Sequence, residues 1–203
     1  GPEMLARAFG AARALTGIAR ISAVIEAPGR VRKFTDWASF IIGDREGRQD
    51  RAPVPEIRAL FADAGVAAPE RADVTAELWL KFVQLTALAA VTAGARCDIG
   101  TARQEPALRD LIDRLIGECE ALARARGVVL PDDTAETTLA SLDRLPATMR
   151  ASLAHDLAAG KPLETDWLSG AVARLGAAAG VATPAHATVA ALLAPYRDGM
   201  RAE

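Results

Sequence analysis

The first segment with a clear hydrophobic pattern covers residues 18–27, where apolar and polar side chains alternate. Ala19, Ile21, Ala23 and Ile25 share one face of this segment. A period of two residues is typical of a strand with one buried face. The sequence therefore predicts a half-buried β-strand.

A turn and two more strands are predicted to follow. Pro28 and Gly29 suit the two central positions of a type II turn, because glycine accepts the positive φ angle of the second position. Residues 31–35 and 38–42 have the pattern of short strands, and residues 55–64 that of a helix ending at a glycine. This part of the chain is therefore predicted to be a small α+β piece built around an antiparallel meander.

From residue 73 onward the spacing of apolar residues is helical. A long helix is predicted to begin at Asp73 or Thr75 and to run to about Ala93. The face of the next helix is formed by Leu108, Leu111, Leu115, Cys119 and Leu122, spaced by three or four residues. Further helices are predicted from residue 132, over 147–158, over 168–179 and over 184–196. The expected fold class is mainly α, with an α+β part over residues 1–72 and a helical domain over residues 73–203.

Composition and charge narrow the class of protein. The chain has 203 residues, with 24 Lys and Arg against 26 Asp and Glu, so its net charge is -2. A nucleic-acid binder usually carries a basic excess, and a disordered chain is poor in apolar residues, whereas 51% of this chain is hydrophobic. The apolar run over residues 82–95 is shorter than the roughly 20 residues of a membrane span, and no signal peptide is visible. We expect a soluble, cytoplasmic protein that binds neither nucleic acid nor membrane.

Several kinds of chemistry lack their motifs in this sequence. It contains no GxGxxG after a strand, no GxxxxGK[ST] and no GxSxG. Cys97 and Cys119 form no CxxC, and His155 and His186 form no HExxH. These patterns favour two reduced thiols and no metal site, with a disulfide or a metal site as the alternative.

Two local features point to possible chemistry. Lys81, one of only three lysines, lies in the apolar stretch 78–83. Such a lysine either extends its amine to the surface or provides a partly buried ammonium for catalysis. Glu164 and Asp166 lie at the start of a predicted helix, where acidic residues also serve simply to compensate the helix dipole.

The chain resembles the ketopantoate reductase (2-dehydropantoate 2-reductase) family. The resemblance rests on five spaced motifs in the same order, which together extend over almost the whole chain. They are the strand and Pro-Gly turn over residues 23–31, Glu77-Leu-Trp-Leu-Lys81, the stretch Ser152 to Glu164, the stretch Trp167 to Gly176, and Gly180-Val-Ala-Thr-Pro184.

The resemblance implies an NADPH-dependent reductase that converts 2-dehydropantoate to pantoate in pantothenate biosynthesis. It implies a helical C-terminal domain of the phosphogluconate dehydrogenase type over residues 73–203. Residues 1–72 would be the end of an NADP-binding Rossmann-type domain whose glycine fingerprint is absent from this sequence. This chain alone is therefore expected to be inactive.

Site residues are implied by the same resemblance. Lys81 matches the catalytic lysine, which stabilises the negative charge that develops on the substrate oxygen and supplies a proton. Glu164 matches a catalytic glutamate that hydrogen-bonds near the substrate hydroxyl and the cofactor ribose. Ser152 matches the serine that binds the substrate carboxylate.

The chain departs from the family at four positions that carry asparagine in typical members. Those positions are occupied by Leu85, Ala89, Ile99 and Met149, and the whole sequence contains no asparagine. A buried hydroxyl without a hydrogen-bond partner costs about 1–3 kcal/mol. The departures therefore predict an altered substrate pocket for a more apolar or differently shaped 2-oxo acid.

A second hypothesis is a non-catalytic helical module that mediates dimerisation or partner binding. A strand segment without its parent sheet exposes an edge that can pair with another chain. Both hypotheses are compatible with a homodimer.

Overall fold

The computed structural model describes residues 2–21, 23–33, 38–44 and 46–199, without the side chains of Pro2 and Glu3. In that part of the chain there are nine α-helices and four strands. The helices are α1 (Pro2–Phe9), α2 (Val54–Asp63), α3 (Val74–Gly94), α4 (Ile99–Gln104), α5 (Pro106–Ala125), α6 (Thr134–Asp143), α7 (Ser152–Ala158), α8 (Ser169–Ala179) and α9 (Pro184–Leu193). Three 3₁₀ turns cover Ala11–Arg13, Glu164–Trp167 and Ala194–Tyr196.

The four strands form two separate antiparallel pairs. They are β1 (Thr16–Arg20), β2 (Ala23–Ala27), β3 (Arg30–Lys33) and β4 (Ser39–Gly43). β1 pairs with β4, and β2 pairs with β3. The mainly α fold with a small antiparallel part is as predicted. The meander is wrong, because β1 does not pair with β2 and β3 does not pair with β4.

The single strand predicted over residues 18–27 is also wrong. It is two strands with different partners, and Ile18, not Ile25, is the buried residue: Ile18 is 3% exposed and Ile25 is 73% exposed. Alternation of apolar and polar residues identifies a strand but does not specify its pairing partner. The break between β1 and β2 therefore cannot be read from the pattern. The turn after β2 is as predicted, with Gly29 at a φ of 75°.

Contacts divide the chain into two compact units, Gly1–Leu78 and Trp79–Glu203. The assignment of residues 1–72 to the end of a Rossmann-type domain, and of residues 73–203 to a helical domain, stays a prediction. The core of the first unit is small: Ile18, Ile41 and Val74 are buried, and Leu78 packs against them.

The second unit is an all-helical body with a large core. Its buried residues come mainly from α3, α5 and α7, and include Val83, Ala87, Ile112, Leu115 and Leu153. α3 is long and apolar enough to cross a membrane by length and composition alone. Because residues on several of its faces pack into this core, its apolar character is that of a core helix.

Most of the helix boundaries follow the sequence signals. The Asp73 carboxylate accepts hydrogen bonds from the N–H groups of Thr75 (2.8 Å) and Ala76 (3.0 Å), so Asp73 caps α3 as predicted. The short helix α4 has no counterpart in the predictions. α7 begins at Ser152, five residues later than predicted, and residues 147–151 are extended or turned.

Candidate functional site

Lys81 lies on α3 between two aromatic residues. Trp79 and Phe82 meet edge to face with their ring centroids 5.6 Å apart, and both pack against the core. Lys81 itself is half-buried. A half-buried ammonium interacts with nearby charge more strongly than one fully in water, which suits the role predicted for it.

The face of α3 that carries Lys81 can be followed along the helix. Thr92 lies eleven residues further on, which places it within about 20° of Lys81 around the axis and about 16 Å along it. Leu85 and Leu88 lie between these two positions on the same face, and both are half-buried. The Lys81 face therefore carries two leucines and the half-buried Gln84 along its middle and ends at a hydroxyl.

Ser152 is held near the far end of this face. The N–H of Ala151 donates a hydrogen bond of 3.3 Å to Oγ1 of Thr92, and the same hydroxyl donates to the carbonyl of Leu88 at 2.7 Å. Ala151 is buried, and the following residue, Ser152, is the exposed first residue of α7. The start of α7 is therefore fixed on the Lys81 face of α3, three helical turns away from the lysine.

Glu164 is the first residue of the 3₁₀ turn Glu164–Trp167, and it is exposed. Two contacts with Arg197 hold this turn in place. The N–H of Leu163 donates to the carbonyl of Arg197 at 2.8 Å, and the Arg197 guanidinium lies 3.1 Å from the carboxylate of Asp166. The Glu164 carboxylate thus projects from an anchored segment.

The three candidate residues belong to one packed body. Core residues lie directly beside each of them: Phe82 follows Lys81, Leu153 follows Ser152, and Leu163 precedes Glu164. The structure attaches the Ser152 segment to the Lys81 face. Convergence of all three side chains on one cleft stays a prediction.

The four positions that depart from the family are not equivalent. Ala89 is 1% exposed and Ile99 is 0% exposed, so both side chains belong to the core. Leu85 and Met149 are half-buried, and the N–H of Ile99 donates to the Met149 carbonyl at 2.9 Å. Only Leu85 and Met149 therefore have side-chain surface that could contact a ligand.

Neither cysteine has the lowered pKa of a reactive thiol. Both are free thiols. Burial raises the pKa of Cys119 to about 12, and burial together with the charge of Asp98 raises the pKa of Cys97. Among the residues that the structure describes, no group of three His, Cys, Asp or Glu side chains could hold a metal ion.

The structure also contains a buried histidine network that sequence patterns did not indicate. His186 is fully buried, with Nε2 3.0 Å from the carbonyl of Leu115 and Nδ1 3.2 Å from the hydroxyl of Ser169. Desolvation lowers the pKa of His186. The neutral ring therefore donates through Nε2 and accepts through Nδ1, which joins α5, α8 and α9.

Glu118 supports the same junction. Its carboxylate accepts hydrogen bonds from the N–H groups of Ala185 (2.8 Å) and His186 (3.0 Å), in the first turn of α9. A carboxylate on α5 thus caps the N-terminus of α9, although the two helices are far apart in the sequence. These residues have a structural role.

Two solved structures show which class of protein has this fold. A 2-dehydropantoate 2-reductase from Geobacter metallireducens has a TM-score of 0.85 at 26% identity, covering 96% of this chain and 64% of that one. A D-mandelate dehydrogenase in complex with NADH and anilino(oxo)acetate has a TM-score of 0.83 at 17% identity, covering 97% of this chain and 64% of that one. The second likeness concerns the fold alone. The fold is that of the helical part of such reductases and dehydrogenases.

The family follows from the sequence. The family profile described as "Ketopantoate reductase PanE/ApbA C terminal" matches residues 73–197. The 2-dehydropantoate 2-reductase of Caulobacter vibrioides is 34% identical over 185 residues, which are 90% of this chain and 60% of that protein. The chain belongs to the ketopantoate reductase family, as its motifs indicated, and spans about 60% of the length of this relative.

Proposed function

We propose that this chain is the helical part of an NADPH-dependent reductase of 2-oxo acids. The observation that supports this best is the match of the family profile to residues 73–197, a range that contains Lys81, Ser152 and Glu164. Membership of the ketopantoate reductase family agrees with this activity.

In the proposed reaction, the three residues have different tasks. The Ser152 hydroxyl donates a hydrogen bond to the substrate carboxylate. The Lys81 ammonium lies at the keto oxygen, stabilises the negative charge that develops there and gives a proton to form the hydroxyl. The Glu164 carboxylate accepts hydrogen bonds from hydroxyl groups of the substrate or the cofactor ribose, and its negative charge favours the charged form of the lysine.

NADPH, when bound, supplies the hydride. This chain contains no glycine fingerprint for the dinucleotide. The exposed Glu164 carboxylate fits the ribose end of such a cofactor, since it can accept hydrogen bonds from hydroxyl groups. The remaining contacts would come from a nucleotide-binding region outside this chain, so the chain alone is expected to be inactive.

The substrate pocket is proposed to be more apolar than one built for 2-dehydropantoate. Leu85 and Met149, at two of the family's asparagine positions, are half-buried and would offer no partner to a substrate hydroxyl. Leu88 adds a third apolar side chain on the Lys81 face.

The test is an NADPH oxidation assay of the full-length protein with a panel of 2-oxo acids. The panel contains 2-dehydropantoate, which carries a hydroxyl, and 4-methyl-2-oxopentanoate and pyruvate, which do not. We expect reduction, with a higher kcat/KM for the apolar acids than for 2-dehydropantoate. No NADPH oxidation with any member would contradict the reductase, and a preference for 2-dehydropantoate would contradict only the altered pocket.

A homodimer is part of the proposal. In the described part of the first unit, the strands form two-stranded pairs, and a strand from another chain can extend such a pair. The opposite edge of β4 is partly covered by a hydrogen bond from the N–H of Phe40 to the carbonyl of Ala67 at 2.8 Å. Light scattering of the full-length protein is expected to give a dimer mass, and a monomer would contradict it.

A further inference from the structure

The short turn that begins with Glu164 also carries an exposed tryptophan. Glu164–Trp167 is a single 3₁₀ turn of four residues. Such a helix has three residues per turn, so side chains three positions apart lie one above the other. The Glu164 carboxylate and the Trp167 indole therefore project from the same side of the turn.

The burial of the four side chains follows the same period. Glu164 and Trp167 are exposed, whereas Thr165 is 2% exposed and Asp166 is half-buried beside Arg197. The inner side of the turn is thus the Thr165 side, and the outer side is shared by Glu164 and Trp167.

The backbone of the turn is held from both directions. Arg197 binds it through the Leu163 N–H and the Asp166 carboxylate, and the Arg174 guanidinium donates to the Asp166 carbonyl at 3.5 Å. At Gly170 an added Cβ would lie 3.1 Å from the Thr165 carbonyl oxygen, so α8 approaches the turn closely. The indole is consequently presented by a positioned backbone.

Trp167 is 61% exposed, unlike Trp79, which packs edge to face against Phe82. An aromatic ring presented in this way offers a flat surface for stacking or edge-to-face contact with another ring. A group that reaches the Glu164 carboxylate meets this surface on the same side of the turn.

We propose that Trp167 forms one wall of the substrate side-chain pocket and selects 2-oxo acids that carry an aromatic side chain. This inference rests on the proposed reductase function, because it takes Glu164 to line the substrate cleft. It deepens that function by naming the substrate class: a carboxylate and keto group for Ser152 and Lys81, and an aromatic group for Trp167. Trp167 is a specificity-determining residue in this account and takes no part in proton or hydride transfer.

The test compares phenylpyruvate with pyruvate as substrates of the full-length protein with NADPH. We expect Trp167→Ala to lower the ratio of kcat/KM for phenylpyruvate to that for pyruvate by about tenfold or more, mainly through KM. Trp167→Phe keeps a ring and is expected to retain the ratio within about threefold. Leu192→Ala is the matched control, since Leu192 on α9 is also 61% exposed, and it should leave the ratio unchanged.

The outcomes separate the two proposals. An unchanged ratio in Trp167→Ala, or an equal loss for both acids, would overturn the role of Trp167 while leaving the reductase in place. Failure of the wild-type protein to reduce any 2-oxo acid would overturn the reductase and this inference with it. Circular dichroism and a thermal midpoint within about 2 °C of wild type would show that each variant is folded, since the side chain is largely exposed.

Discussion

The N–H of Ala151 donates a hydrogen bond to Oγ1 of Thr92 across 3.3 Å and so joins the start of α7 to the last turn of α3. Both residues are buried. Because Thr92 lies on the Lys81 face of α3, this bond determines where Ser152 stands relative to the proposed catalytic lysine. The proposed site therefore depends on a residue that contacts no substrate.

Replacement of Thr92 by valine should destabilise this arrangement. Thr92→Val keeps the shape of the side chain but leaves the Ala151 N–H buried without its acceptor, which costs about 1–3 kcal/mol. Urea denaturation measures the free energy of unfolding, and Thr92→Ser, which retains the hydroxyl, should lose less. A Thr92→Val protein as stable as wild type would show that the hydrogen bond contributes nothing to the free energy of unfolding.

Removal of the Glu118 carboxylate should loosen the first turn of α9. Glu118→Ala deprives the Ala185 and His186 N–H groups of their acceptor, so we expect a loss of about 1–2 kcal/mol in unfolding free energy. Glu120→Ala is the control on the same helix. It removes only an ion pair with Arg124 one turn away, which contributes about 0.5 kcal/mol. Equal effects of the two substitutions would contradict the capping role.

Two glycines of the helical unit should respond in opposite ways to alanine. A Cβ at Gly100 would lie 2.7 Å from the Cβ of Ala147, so Gly100→Ala is expected to destabilise the fold by about 1–3 kcal/mol. Gly117, on α5, has no atom within 4 Å of an added Cβ, and Gly117→Ala should stabilise the helix by about 0.5–1 kcal/mol. Thermal denaturation of both variants measures these changes in stability. A Gly100→Ala protein more stable than wild type would contradict the close approach of Gly100 to Ala147.

Acid should destabilise the protein partly through His186. Desolvation lowers the pKa of His186 below its usual 6.5. Just below pH 6.5 the unfolded chain therefore binds a proton at this residue that the folded protein does not bind. This contribution to stability is complete above pH 6.5 and is lost as the pH falls toward the pKa of the folded state.

The matching measurement is unfolding free energy between pH 8 and pH 5. His186→Gln should be less stable than wild type at pH 8 but should show a flatter decline toward pH 5. His155→Gln is the control for the substitution itself, because His155 is exposed. An identical slope for His186→Gln and wild type would rule out this titration as a cause.

Helical periodicity and capping residues predicted most of the second unit. Asp73 caps the start of α3, and Leu115, Cys119 and Leu122 of the predicted α5 face are buried, because both signals depend on residues close together in the sequence. The strands were harder, since the partner of β1 is β4, about twenty residues away, and alternation does not specify a partner. The same limit explains the meander that the structure does not contain.

The candidate site shows a similar division. Lys81, Ser152 and Glu164 came from spaced motifs, and the structure places their segments on one core. Thr92 carried no signal, because a threonine inside an apolar helix is equally compatible with a bond to its own preceding turn, which it also makes. Ala89 and Ile99 were expected to alter the pocket, yet their burial shows that a missing asparagine can also reflect core packing.

The proposed reaction requires Lys81 to act on the keto oxygen of a 2-oxo acid. The most direct test is the rate of NADPH oxidation by the full-length protein with its preferred 2-oxo acid, in wild type, Lys81→Met and Lys161→Met. Lys161 is an exposed lysine 3.9 Å from Asp156 and provides the control for charge removal. We expect Lys81→Met to lower kcat by about 100-fold or more, because it removes the cation that stabilises the developing charge, and Lys161→Met to stay within about twofold of wild type. A Lys81→Met protein that keeps the wild-type kcat would contradict the account.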